Sequence, residues 1–199
     1  QKSEIVEGII RSTYKTTYTD ITKILEGDKE TCEKYAVIKD MVGLFADLTH
    51  ILQKKRAQKG SVTLDVKEAK ILFDKNTNEI TIPDYERVFS YQIIEAFMVL
   101  ANETVAEYMH GIEAPFIYRI HEKPNPEKAA TFRAFAQSMG LVARFNAEDV
   151  KPYDYQNLLK AAKNMPAYSV LNRVMLRSMQ KARYSPENVG HFGLASECY

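Results

Sequence analysis

In the run Ile93-Ile94-Glu95-Ala96-Phe97-Met98 one carboxylate interrupts five apolar side chains. On a helix packed on more than one side, such a carboxylate needs a partner. Asn102 follows seven residues later, also among apolar neighbours. Seven residues are close to two helical turns, so the two polar groups share a face about 10 Å apart and look inward from one ridge. Burying either without a hydrogen bond costs about 1–3 kcal/mol, and more for the charge. Two arrangements relieve that cost: neighbouring backbone groups satisfy each side chain, or both line a cleft that admits a ligand.

The cations offer a second chemistry. Arg173, Arg177 and Lys181 are spaced four apart, which aligns them on one side of a helix, where a row of charge either tracks phosphates or faces solvent. Lys54, Lys55, Arg56 and Lys59 close an earlier helical stretch. They either meet phosphate or offset the helix dipole, at about 0.3–1 kcal/mol each. His121 follows Arg119 on a strand-like segment, and His191 stands in Gly190-His191-Phe192-Gly193. Neither has a cysteine or carboxylate at ligand spacing, so each reads first as a structural donor. Cys32 and Cys198 are far apart and in no metal-ligand spacing, which argues for a reducing compartment and a cytoplasmic chain. There is no phosphate loop, dinucleotide fingerprint or serine elbow. Nor do three or four aspartates cluster as a two-metal phosphodiesterase requires.

The elements that must hold these residues follow from periodicity. Tyr18, Ile21 and Ile24-Leu25 recur at helical spacing, with Gly27 as the stop. Tyr35, Ile38, Val42, Phe45, Leu48 and Leu52 predict one long helix from about Thr31 to Lys59, closed by Gly60. Val62–Val66, Lys70–Asp74 and Ile80–Ile82 have strand composition and predict a small antiparallel meander ending at Pro83-Asp84. A second long helix is expected from about Tyr85 to His110, capped by Gly111, with Val88, Tyr91, Ile94, Met98, Ala101, Val105 and Met109 as its buried stripe. Phe116–His121 reads as a strand, Glu127–Met139 as a helix stopped by Gly140, and Leu141–Pro152 as a polar connection. Tyr153–Asn164 and a stretch from Pro166 to about Ala182 complete the helices. Helices outnumber strands, and the strands cluster rather than alternate with helices, which favours an α+β fold over a doubly wound sheet.

The chain of 199 residues is 45% hydrophobic and 27% charged, which excludes a disordered tail, a collagen-like fibre or a disulfide-stapled miniprotein. At this mass a folded chain buries about 70% of its surface, enough for a core of its own. Lys plus Arg number 27 and Asp plus Glu 26, a net charge of +1, so any attraction to a polyanion is local. The longest apolar run, Ala96–Ala101, is far below the ~20 residues of a membrane span, and no signal peptide opens the chain.

Several motifs together resemble the catalytic RNB domain of the ribonuclease II and ribonuclease R family of 3′-to-5′ exoribonucleases. They begin with Arg11-Ser12 and Tyr18, then Lys55-Arg56 with Lys59-Gly60-Ser61, and the run from Ile94-Glu95-Ala96-Phe97 to Asn102. Tyr118-Arg119-Ile120-His121-Glu122-Lys123-Pro124, Leu176-Arg177-Ser178-Met179, Lys181-Ala182 and Tyr184-Ser185 follow, and Asn188-Val189-Gly190-His191-Phe192-Gly193-Leu194-Ala195 closes the series. The ordered set spans nearly the whole chain. The resemblance implies a processive, magnesium-dependent hydrolase that releases nucleoside 5′-monophosphates from single-stranded RNA. It implies neither DNA nor a membrane as partner. It also implies that Tyr18 and Glu95 contact the terminal nucleotides and favour ribose, a role in which a fixed acceptor holds a 2′-hydroxyl. Lys55, Arg56, Leu64, Asn102, Arg119, His121, Arg177, Lys181 and His191 are then the candidate RNA contacts.

The departures from the family pattern are local. Leu64 stands where the family's Leu-Asp-Phe-Asp motif stacks an aromatic on a base, a loss of about 1–3 kcal/mol. Ala96 replaces a second acid, and Lys67 stands where a proline is common. The family's magnesium-holding aspartates are expected upstream of Gln1, and its His-Phe-Thr-Ser-Pro-Ile-Arg-Arg-Tyr motif beyond Tyr199. The 199 residues are therefore expected to be the central part of one such domain, inactive alone, binding no metal, and weak in RNA binding without flanking OB-type domains. The alternative is an RNB-like module that holds RNA or a protein without cleaving. The oligomeric state stays open.

Overall fold

The computed structural model describes residues 3–63, 72–73, 79–81 and 88–199. The chain folds as two units, Gln1–Lys54 with Glu86–Thr104, and Lys55–Tyr85 with Val105–Tyr199. Its fold is α+β: seven α-helices and two two-stranded antiparallel sheets occur among the described residues.

In the first unit, α1 (Tyr18–Glu26) starts at Thr17, whose hydroxyl accepts from the Asp20 amide, and ends at Gly27, whose φ of 82° supplies the left-handed cap. Asp28 then caps α2 (Lys29–Lys34), its carboxylate accepting from the amide and the hydroxyl of Thr31 at 2.9 and 2.6 Å. That pair of bonds holds Asp28 below the usual carboxylate range. The single helix expected over Thr31–Lys59 is two: α2 stops at Tyr35, and α3 runs Lys39–Lys59. The Tyr35 hydroxyl donates to Asp20 at 2.9 Å, which fixes the break against α1. Because the intervening turn advances the chain by about one helical turn, the apolar spacing passes through it unbroken. Ile24, Tyr35 and Val42 form the small core here, with Ile21, Leu25, Cys32 and Ile38 against it.

The helix α4 (Phe89–Gly111) buries Ser90, Ile93, Ala96, Val99 and Ala106. The stripe expected on Ile94, Met98, Ala101 and Val105 is instead exposed, with Ile94 54% and Met98 51% accessible. Eight of the nine residues Ile93–Ala101 are apolar, so hydropathy selects no face. The buried register is the one bearing small residues, which let a neighbour approach closely. Gly111 is not the cap. The chain leaves α4 at Glu113 (φ 53°), with the Ala114 and Glu113 amides donating to Met109 and His110 carbonyls at 3.1 Å each.

In the second unit β1 (Leu72–Phe73) pairs with β2 (Ile80–Thr81). The expected strand at Val62–Val66 and the start of the long helix at Tyr85 fall mostly outside the described residues. β3 (Tyr118–Ile120) pairs with β4 (Arg183–Ser185), so Arg119 faces Tyr184 across the ribbon. α5 (Pro126–Ser138) is capped by Asn125, whose side chain accepts from Glu127 and Lys128 amides. α6 (Pro152–Ala162) and α7 (Tyr168–Ser178) follow. The connection expected to be polar over Leu141–Pro152 buries the alternate residues Ala143, Phe145 and Ala147, and then Val150, in the main core. At the centre of that core Tyr155 is fully buried, its ring edge-on to Phe132, Phe145 and Phe192 at 4.9–5.7 Å. Ser178 donates to the Met175 carbonyl at 2.7 Å and so accepts from the Tyr155 hydroxyl at 3.0 Å. Gln156 ties α6 to the end of α3 by donating to the Ala57 and Ser61 carbonyls. Gly60, at φ +95°, lets the backbone of Tyr153 pass where a Cβ would lie 3.1 Å from its nitrogen.

Candidate functional site

Two contacts dock α1 onto α4 within the first unit. Thr22 donates to the Tyr18 carbonyl one turn behind it at 2.9 Å. Its proton thus spent, Thr22 accepts from Ser90 at 2.9 Å. Beside that bond the Tyr18 ring stacks on Tyr91, centroids 4.0 Å apart and planes 21° off parallel. Tyr91 lies four residues before Glu95, one turn of helix and about 6 Å along the same face. Tyr18 thus rests on the residue one turn before Glu95, although 77 positions separate the two in the sequence.

Glu95 and Asn102 are both exposed, which corrects the inward-looking pair expected from the apolar run. Their side chains share the exposed face of α4 with Ile94, Met98 and Val105. Tyr18 is 39% accessible and, with Ile21, Phe45, Ser90 and Ile94, lines a largely apolar cavity of about 970 Å³. That volume is in the range that takes small organic ligands.

The other candidates lie in the second unit. Lys55 is exposed near the end of α3, and Arg56 is half-buried in its last turn. Arg177 is exposed in the last turn of α7. The cationic row expected along one helix stops there: α7 ends at Ser178, and Lys181 lies exposed in the link to β4. The pairing of β4 with β3 takes residues that periodicity assigned to the helix. Arg119 places its guanidinium 4.8 Å from the centroid of the Tyr184 ring. Leu64 lies outside the described residues.

His121 and His191 meet each other, ring centroids 5.0 Å apart and nearly perpendicular. His121 Nδ1 accepts from the Gly193 amide and His191 Nδ1 from the Leu194 amide, both at 3.2 Å. Each Nδ1 is therefore unprotonated, and any ring proton is on Nε2. Nε2 of His121 is buried without a hydrogen bond of ordinary geometry, though the Gln180 backbone favours its charged form. Burial, then the neighbouring His121, pulls His191 down to about 4, and burial lowers His121 as well. The pair pins the Phe192–Leu194 turn to β3, with His121 and Phe192 also joined through the backbone at 2.8 Å.

Sequence reasoning gave Tyr91 and Tyr184 no part in the site and missed the contact between the histidines. Only Tyr91 carried a usable signal, an aromatic one turn ahead of the singled-out acid. Among the described residues no three of His, Cys, Asp and Glu converge as metal ligands, so these donors do not fit a metal centre. Among them also, no helix is long and apolar enough to cross a membrane.

The comparisons with known proteins agree over the whole chain. The RNB domain matches residues 1–199. Ribonuclease R 1 of Lactococcus lactis is 38% identical over 196 residues, covering 98% of this chain and 24% of that protein. Ribonuclease R of Thermotoga maritima is 35% identical over 198 residues, covering 98% and 28% respectively. The chain thus spans about a quarter of the length of these relatives. Mycoplasma genitalium RNase R, solved in complex with ribose methylated single-stranded RNA, superposes with a TM-score of 0.79 at 25% identity, over 92% of this chain and 28% of that one. On the match across its full length and on these relatives, the chain belongs to the RNB domain family.

Proposed function

We propose that these residues form the substrate-gripping part of a 3′-to-5′ exoribonuclease acting on single-stranded RNA, with Tyr18 and Glu95 holding the terminal nucleotides. The observation that carries this reading is the docking of α1 on α4, which stacks Tyr18, beside an apolar cavity, on Tyr91, the residue one helical turn before the exposed Glu95. A carboxylate there accepts from a ribose 2′-hydroxyl, which DNA lacks, and the apolar surface around it suits a sugar and base. The Mycoplasma RNase R bound to single-stranded RNA supports the same substrate class. Because the described donors do not fit a metal centre, the chemistry of bond cleavage, and the magnesium it uses, belongs on this reading to residues outside the described part of the chain. The residues here supply recognition and orientation.

The test is a decay assay on labelled single-stranded RNA and its DNA counterpart, using a protein that contains this segment in its full context. Release of nucleoside 5′-monophosphates from RNA is expected, and Glu95→Ala should narrow the difference between RNA and DNA. Unchanged discrimination removes Glu95 from its role. Binding without any release of mononucleotides favours the non-cleaving module.

A further inference from the structure

Tyr91 has no part in the reading above except as the surface on which Tyr18 rests, yet it is the element common to both halves of the site. Its ring contacts Tyr18 face to face. Its own position, four residues before Glu95, makes it a neighbour of that acid along the helix face. The backbone of Tyr18 is held separately, through Ser90 to Thr22 to the Tyr18 carbonyl. Ser90 is buried, so that anchor is built into the seam between the helices. Backbone and ring are thus fixed by different residues. Without a neighbour a helical tyrosine samples two staggered χ1 torsions and a broad, roughly two-fold χ2. A flat contact on one face removes most of that freedom and aims the hydroxyl.

We infer that Tyr91 is a positioning residue for ribose selection: by stacking on Tyr18 it sets the plane of that ring, so that the Tyr18 hydroxyl and the Glu95 carboxylate act on the same nucleotide. The inference rests on the proposed role of Tyr18 and Glu95 and adds the residue that couples them. The coupling is carried by the ring stack, and Tyr91 need not touch RNA. An aromatic pair of this kind is worth a factor of roughly 2 to 10 beyond simple burial.

The experiment uses the 199-residue chain and two probes, octauridylate and its deoxy counterpart, titrated by NMR so that weak binding is measurable. Far-UV circular dichroism and thermal midpoints confirm that each variant folds. In the unaltered chain the Tyr18 ring protons should be shifted upfield by the Tyr91 ring current, and the ribo-oligonucleotide should bind more tightly. Tyr91→Leu should abolish the upfield shift and lower the ribo-to-deoxyribo affinity ratio roughly 2- to 10-fold, while Tyr91→Phe keeps both. Equal weakening toward the two probes, with the ratio preserved, would mark Tyr91 as merely structural and overturn the inference. A ratio that Glu95→Ala abolishes but Tyr91→Leu leaves intact overturns it too, and spares the reading of the site. No ribose preference in the unaltered chain overturns both together.

Discussion

Acid should release the His191 turn, and the size of the effect follows from the site's geometry. In the fold His191 is neutral: Nδ1 accepts from the Leu194 amide, His121 stands 5.0 Å away, and Arg119 adds repulsion toward a second positive charge. The Tyr199 ring packs edge-on against His191, centroids 5.2 Å apart. Protonation would turn the acceptor into a donor aimed at an N–H. The folded group titrates at about 4, against about 6.5 in an unfolded chain. Since the folded value is the lower one, the unfolded chain takes the proton first. The stabilisation is complete above pH 6.5, is lost as pH falls from there to about 4, and changes no further below. A gap of about 2.5 pH units corresponds to at most about 3 kcal/mol. His121, lowered in the same direction, steepens the loss. Urea unfolding of the chain between pH 7.5 and 4 measures it. Carboxylates titrate over the lower part of that range, so the reference is His191→Asn, whose side-chain oxygen keeps an acceptor for the Leu194 amide and cannot titrate. The difference between the two chains should shrink steadily with acid. Parallel curves would refute the assignment of the acid response to this imidazole.

Three other outcomes test separate parts of the structure. Tyr155→Phe should lower the unfolding free energy by about 0.5–1.5 kcal/mol with no change in helix content, because it removes the donor to Ser178 inside the aromatic core; an unaltered urea midpoint would show that bond to be worth nothing. Gly60→Ala should cost more than about 1 kcal/mol, since it forces a side chain into a left-handed backbone whose Cβ lies 3.1 Å from the Tyr153 nitrogen. A neutral or stabilising result in the same denaturation series would contradict that close approach. In a protein containing this segment, Arg177→Ala and Lys181→Ala should each reduce the slope of log affinity for single-stranded RNA against log salt by about 0.7 if each neutralises one phosphate; an identical slope would place both cations in solvent.

How much of this was readable from the amino-acid order depends on whether the signal is local. Gly27 closes α1 and Gly140 follows α5, as their backbone freedom dictates. These features were predictable because a glycine acts within one turn. The break at Tyr35 was not, since it is held by Asp20 fifteen residues away. Nor was β4, whose three residues are strand only because β3 pairs with them, and which shortened α7 and detached Lys181 from Arg177. The facing of α4 failed for a different reason. With apolar residues nearly all round, the choice between two registers was made by the close approach that Ser90 and Ala96 permit, a tertiary matter. The histidine pair joins positions 70 apart and has no local signature.

The misplaced face of α4 bears on function in an instructive way. From the sequence, burial of Glu95 demanded a partner, supplied either by neighbouring backbone groups or by a ligand in a cleft. In the fold the acid is accessible, so the need for a partner in the interior disappears. The case for recognition becomes stronger on other grounds. A buried acid is closed to a ligand; an accessible one on a 23-residue helix can be reached by a ligand while its backbone stays fixed. The apolar residues beside it, Ile94 and Met98, are exposed where an ordinary solvated helix face carries charge. A polar acceptor set in apolar surface suits the edge of a ribose, where one hydroxyl must be counted and the rest of the nucleotide merely accommodated. On the proposed reading, then, selectivity on this segment is purchased by placement rather than by burial. It depends on α1 and the ring of Tyr91 holding a second contact in register with the first.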